Sequence, residues 1–271
     1  MALPIALQIY SVRTDAENDT EGTFRALRSM GYDGAEFAGL YGRTAKEFAG
    51  VVARSGLEPV SAHVGIAELR ADIHKVINDY REIGCKHIAV PWLAEEDRPG
   101  SSGWEKTVAD IKRFGEILRD NDITLSYHNH DFEFKTDENG EYHLDILYKT
   151  VPAELLKVEL DTCWARVGGA DPAEYLLKYS GRCPLVHLKD YVGEKSDDMY
   201  ALIGADENEK KEHKAFEYRS VGDGVQDFKK ICAAAEKAGA EWFIVEQDEP
   251  TPGKTRLECA KMSVDQLRAI L

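Results

Sequence analysis

No stretch of this 271-residue sequence is apolar for the roughly 18–20 residues that a bilayer core demands, so a membrane-spanning helix is not expected. Positive charge is scarce as well. Lys and Arg number 34 against 49 Asp and Glu, a net charge of −15. A protein that grips a nucleic-acid backbone normally carries a basic footprint, so this balance argues against a nucleic-acid partner. Cysteine is sparse and unpatterned: residues 85, 163, 183, 232 and 259 are odd in number and never form Cys-x-x-Cys. That fits reduced thiols in the cytoplasm better than a disulfide framework. Glycine-rich phosphate cradles are missing too, with no GxGxxG after the first apolar run and no GxxxxGK[ST]. The amino terminus has no basic leader before Leu3-Pro-Ile-Ala-Leu-Gln-Ile9, which reads as a strand and not a signal peptide.

What is present is a rhythm. The chain is 43% apolar, near the globular average, and its length suits one α/β barrel of about 250 residues. Short β-branched and apolar runs are expected as strands at 3–9, 34–37, 57–63, 86–90, 123–127, 156–160, 184–187 and 242–245. Between them, apolar residues at helical spacing predict helices at 20–30, 44–53, 66–83, 104–119, 144–149, 172–179, 225–238 and 256–271, several closed by glycine. Eight alternations in one chain predict a single α/β domain over 1–271, a (β/α)8 TIM barrel; an open doubly wound sheet is the alternative. Residues 94–103 read as a long loop, and 191–224 as a polar insertion over the site face.

In such a barrel the chemistry sits at the carboxyl ends of the strands. Tyr127-His-Asn-His-Asp-Phe-Glu-Phe134 concentrates two histidines and two acids after the fifth strand. Imidazole and carboxylate are ligands for borderline and hard divalent metals. The other strand ends add Gln8 and Tyr10, Glu36, His63, Trp92, Asp161, His187 with Lys189, and Glu246. Each alone has a plain alternative: Asp161 as a helix cap, His187 as a core histidine, Glu246 paired with Lys189, Glu159 in a lumenal salt bridge. Together, converging charges would repel unless paired or metal-bound.

With these pieces in hand — Leu7-Gln-Ile-Tyr-Ser11, the Tyr127–Phe134 octet, Glu159-Leu-Asp-Thr-Cys-Trp164, Val186-His-Leu-Lys-Asp190 and Phe243-Ile-Val-Glu-Gln-Asp248 — the whole chain resembles the xylose isomerase-like, endonuclease IV-like barrel superfamily, in the sugar phosphate isomerase/epimerase group. The resemblance implies one divalent ion held by Glu133, Asp161, His187 and Glu246. Relatives place the first glutamate directly at the end of the fifth strand. Here that place is Tyr127-His128, so His128 or His130 is the alternative to Glu133. The superfamily's endonucleases carry a zinc-binding histidine three residues after the strand-six aspartate; this chain has Trp164. A DNA-repair role is correspondingly disfavoured.

The resemblance further implies Mn²⁺, Mg²⁺ or Co²⁺, with Zn²⁺ admitted, acting on a small carbohydrate. Polarising a sugar carbonyl acidifies the adjacent C–H, and a carboxylate can remove that proton. Glu133 and Glu246 are the expected acid/base pair of an isomerase or epimerase. His63 and Lys189 are expected to bind hydroxyls or stabilise charge. Gln8, Glu36, His128 and His130 are expected to contact the substrate, and Trp92 and Trp164 to form flat walls. The same chemistry in a lyase or dehydratase would expel a β-substituent from a keto-sugar or 3-keto-glycoside; a non-catalytic sugar-binding protein is a further alternative. A homo-oligomer is compatible with all of these.

Overall fold

The structure is a computed structural model and describes residues 2–195 and 216–271. Eight parallel strands close a barrel: β1 (Ile5–Gln8), β2 (Gly34–Phe37), β3 (Glu58–His63), β4 (His87–Val90), β5 (Thr124–His128), β6 (Lys157–Asp161), β7 (Leu185–Leu188) and β10 (Trp242–Val245). Each pairs with its neighbours in sequence order, and β1 closes against β10. The expected TIM barrel is therefore observed.

The intervening helices are α2 (Thr20–Met30), α3 (Ala45–Ser55), α4 (Ile66–Ile83), α5 (Trp104–Arg119), α6 (His143–Thr150), α8 (Pro172–Lys178), α9 (Phe228–Ala238) and α10 (Arg256–Ile270). Their ends are written in the sequence. Thr44 with Glu47, and Thr255 with Glu258, form reciprocal capping boxes on α3 and α10. Gly31 ends α2 at φ 111°, a left-handed conformation that costs glycine little. The helices bury apolar faces against the outer side of the strands; Phe24, Phe37 and Phe48 pack there as one aromatic cluster.

Inside the barrel, side chains alternate by two along each strand. Ala6, Val60, Leu185 and Ile244 form a small apolar cluster separate from the outer core. Two residues further along three of those strands stand Gln8, His187 and Glu246, so the lumen is apolar at its base and polar toward its mouth.

Two short helices were not anticipated: α1 (Arg13–Asn18), and α7 (Thr162–Val167), which is capped by the Asp161 side chain on Trp164 N. The expected loop at 191–224 is corrected at its ends. Strands β8 (Asp190–Gly193) and β9 (Phe216–Arg219) pair antiparallel, because Tyr191, Phe216 and Tyr218 bury their rings against Trp164. The rest of that stretch, 196–215, lies outside the described residues. All five cysteines are free and buried. Among the described residues no helix is long and apolar enough to cross a membrane.

Candidate active site

The strand ends bring together a layer of buried charge. Glu36, Glu159, Asp161, Glu246 and Asp248 are at most 5% exposed, and Lys189 is 1% exposed. Lys189 Nζ lies 3.1 Å from Asp161 Oδ2, 3.0 Å from Glu246 Oε2 and 3.1 Å from Asp248 Oδ2. Burial pushes this amine toward the neutral form, but Asp161, Asp248 and Glu246 prevail and hold it well above the ordinary lysine value, as ammonium. Burial would raise Glu246; Lys189 and His187 instead hold it below the usual carboxylate range.

Three imidazoles stand among these acids. His187 Nδ1 meets Glu246 Oε2 at 2.9 Å, while its Nε2 meets Glu36 Oε2 at 2.7 Å and Glu159 Oε1 at 3.2 Å. His63 Nε2 meets Glu159 Oε1 at 2.7 Å and Glu36 Oε2 at 3.2 Å. His128 turns Nδ1 to Glu159 Oε1 at 3.2 Å and Nε2 toward Asp161 Oδ2 and Glu246 Oε2, at 3.8 and 4.0 Å. Burial lowers His63, yet Glu36 and Glu159 raise it to about 10. His128 is driven well below its ordinary value by burial and by neighbouring His187 and His63, so it is a neutral imidazole. His130 is likewise held down by burial and Lys189.

Glu133 does not join this layer. It follows β5 in a one-turn 3₁₀ helix, Phe132–Phe134. Its Oε1 accepts from the Tyr127 hydroxyl at 2.5 Å and its Oε2 from His130 N at 2.8 Å. Burial pushes its carboxyl up to about 7 despite those donors. The structure thus assembles Asp161, His187 and Glu246 of the expected ligand set and puts His128 where Glu133 was expected.

A cavity of about 420 Å³ opens above the layer, lined by Tyr10, Ala38, His63, Pro91, Trp92, His128, His130, Lys189, Glu246 and Asp248. Of the expected substrate contacts, His63, Trp92, His128, His130 and Lys189 line it. Gln8 and Glu36 lie fully buried below and bond to each other at 2.8 Å. Trp164 is also fully buried, stacked on Phe216 at 6.0 Å with Lys189 Nζ 5.3 Å from its ring. Trp92 stands edge-on to His130 at 4.7 Å, and Arg98 lies over it at 4.8 Å.

Asp248 and Asn129 went unnamed as site residues in the sequence reading. Asp248 follows Glu246 by two along the strand direction, a period-two signal that would have found it. Asn129 links β5 to β6 by accepting from Asp161 N at 3.0 Å and donating to Asp161 O at 3.3 Å; nothing in the sequence marks that role.

A model of the xylose isomerase-like TIM barrel matches residues 24–268. The chain belongs to that family. It is 25% identical to the inosose dehydratase of Geobacillus kaustophilus over 271 aligned positions, covering 89% of this chain and 85% of the relative. In three dimensions it is similar to a sugar phosphate isomerase/epimerase from Parabacteroides distasonis, with a TM-score of 0.80 at 22% identity, covering 99% of this chain and 94% of that one. It also resembles the probable 3-DHS dehydratase AsbF of Bacillus anthracis, with a TM-score of 0.73 at 14% identity and 98% and 99% coverage. These solved structures share the fold of this family member.

The donor set of this xylose isomerase-like barrel fits a divalent cation. One ligand atom each from His128, Asp161, His187 and Glu246 lies within 4.8 Å of the others. Bonds of about 2.0–2.2 Å allow donors to stand roughly 4.4 Å apart at most, so a slight contraction would close the shell. Five buried carboxylates against the Lys189 ammonium and the His63 and His187 imidazoles also leave a negative excess that a divalent ion would offset. A second group, His63, His128, Glu159 and His187, lies just beneath and shares two of its members.

Proposed function

We propose that this family member is a metal-dependent dehydratase, eliminating water from a keto-sugar or cyclic keto-polyol. The observation that carries this reading is the asymmetry of the mouth. The carboxylates that line it, Glu246 and Asp248, both follow β10; the end of β5 contributes His128 and His130, and Glu133 is turned to Tyr127 and His130 N instead. Epimerisation asks for acid/base groups on both faces of one carbon. Elimination asks for one base and, beside it, an acid for the oxygen leaving the neighbouring carbon. The dehydratase names borne by the Geobacillus relative and by AsbF point the same way.

His128, Asp161, His187 and Glu246 would hold the ion, which when bound supplies Lewis-acid polarisation of the carbonyl beside the acidic C–H. Glu246 keeps Oε2 on Lys189 and takes the C–H proton on its other oxygen. The C–H electron pair passes to the carbonyl oxygen, where the Lys189 ammonium stabilises the charge. Collapse of that enolate forms the C=C bond and breaks the β C–O bond. The leaving hydroxide takes a proton from the His63 imidazolium and departs as water. Trp92 and Pro91 offer an apolar wall to the C–H face of the ring.

Incubation with an inosose in D₂O, followed by mass spectrometry and NMR, tests the reading. Loss of one water per turnover is expected, and E246Q should lower kcat by about 10²–10⁴-fold. Deuterium uptake with inversion or carbonyl transfer, and no loss of water, would make the protein an epimerase or isomerase instead.

A further inference from the structure

We infer that Glu159 and Glu36 are positioning residues that fix the tautomer and ring orientation of the two imidazoles of the metal site. The inference rests on the metal-site reading above. Each of these imidazoles divides its two nitrogens between a site-facing carboxylate and a deeper one. His187 presents Nδ1 upward to Glu246 at 2.9 Å and Nε2 downward to Glu36 at 2.7 Å. His128 presents Nε2 upward to Asp161 at 3.8 Å and Nδ1 downward to Glu159 at 3.2 Å. A carboxylate takes the N–H of a neutral imidazole, which leaves the lone pair on the opposite nitrogen. Both lone pairs then point into one shell with Asp161 and Glu246.

Glu36 and Glu159 are suited to nothing at the mouth. Both are fully buried, and neither lines the cavity. Gln8 Nε2 donates to Glu36 Oε2 at 2.8 Å, which fixes that carboxylate from the far side. His63 Nε2 bridges the two acids at 3.2 and 2.7 Å, so neither can swing without breaking the other's contact.

The test is Co²⁺ binding to the chelator-stripped full-length protein, read by titration and by the visible ligand-field spectrum. E159Q and E36Q keep the side-chain volume and remove the charge. Each is expected to bind one equivalent about 10–100-fold more weakly than wild type, with a shifted spectrum, while apoprotein melting holds native-like cooperativity. D161N and E246Q, which remove ligands, should lose the stoichiometric site. Unchanged affinity and spectrum in both Gln variants would overturn the positioning role. Loss of the site in E159Q but not in D161N would overturn it differently, by making Glu159 a ligand. Wild type binding no Co²⁺ would remove the metal-site reading itself, and with it this inference. Should E159Q fail to fold, E36Q still decides for His187, whose Nε2 stands 2.7 Å from Glu36; should E36Q fail, E159Q decides for His128, whose Nδ1 stands 3.2 Å from Glu159.

Discussion

At the scale of single residues, the protein tunes identical groups in opposite directions. Glu246 and Glu133 are both buried glutamates, one just after β10 and the other in the turn after β5. Glu246 has an ammonium and an imidazole beside it and stays ionised; Glu133 has a phenol, backbone N–H groups and the charge of Arg98, and burial outweighs them and holds its carboxyl at about 7. The folded chain therefore binds the Glu133 proton more tightly than the unfolded chain, whose carboxyl titrates near 4.5. Stability from this residue is intact at low pH and falls as pH rises from about 4.5 to about 7. The slope is at most about 1.4 kcal/mol per pH unit, roughly 3 kcal/mol in all. Glutamine cannot ionise. Relative to wild type, E133Q should gain roughly 6–12 °C in Tm between pH 4.5 and pH 8, whatever its offset at the acid end. Parallel melting curves across that range would show that Glu133 does not titrate there. Because Glu133 faces away from the ligand shell, E133Q should also retain one bound metal equivalent.

At the scale of elements, the decisive joint is the crossing from β7 into β8. Asp190 follows Lys189 directly and accepts four backbone N–H groups: Tyr191 at 2.9 Å, Gly222 at 3.0 Å, Gly224 at 2.8 Å and Gln226 at 3.2 Å. One carboxylate thus ties the hairpin and the segment leading to α9 to the strand end that carries Lys189. Gln226 adds a bond to Lys189 O at 3.4 Å. Gly224 is required by this packing, since a Cβ there would lie 2.2 Å from Asp190 Oδ1 and 2.4 Å from Tyr191 O. D190A strands four donors in a largely buried place, at a cost of about 2–4 kcal/mol, or roughly 5–15 °C in Tm. G224A should destabilise in the same direction by steric overlap. Both should lower kcat as well, by letting the Lys189 ammonium drift from Asp161 and Glu246. Wild-type melting and turnover in D190A would mean that the clamp is dispensable.

At the scale of the molecule, the barrel was legible because alternation and end signals survive in local sequence. Strands 34–37 and 242–245 and helices 20–30, 66–83 and 104–119 fall on their expected bounds. What local pattern cannot carry is direction and partnership across strands. Glu133 lies in the most conspicuous cluster of the sequence, yet one 3₁₀ turn aims it at Tyr127. Glu159 looked like one lumenal acid among several until His63, His128 and His187 converged on it from three other strands. The β8–β9 pair was missed because its apolar residues, Tyr191 and Phe216, lie far apart in a polar stretch and find each other only over Trp164.

The same convergence makes the site a property of the closed barrel and not of any segment. His128, Asp161, His187 and Glu246 come from four strands, and an unfolded chain cannot hold them within 4.8 Å. A divalent ion must then bind the folded state far better than the unfolded one and stabilise it by mass action. Each tenfold rise in free ion above Kd should add about 1.4 kcal/mol, or roughly 3–6 °C in Tm, for the chelator-stripped protein titrated with Mn²⁺ or Co²⁺. D161N should flatten that dependence without abolishing the cooperative transition. A Tm independent of ion concentration in the wild type would mean that Lys189 and the imidazoles alone neutralise the buried acids, and the proton chemistry at Glu246 would have to proceed without a metal.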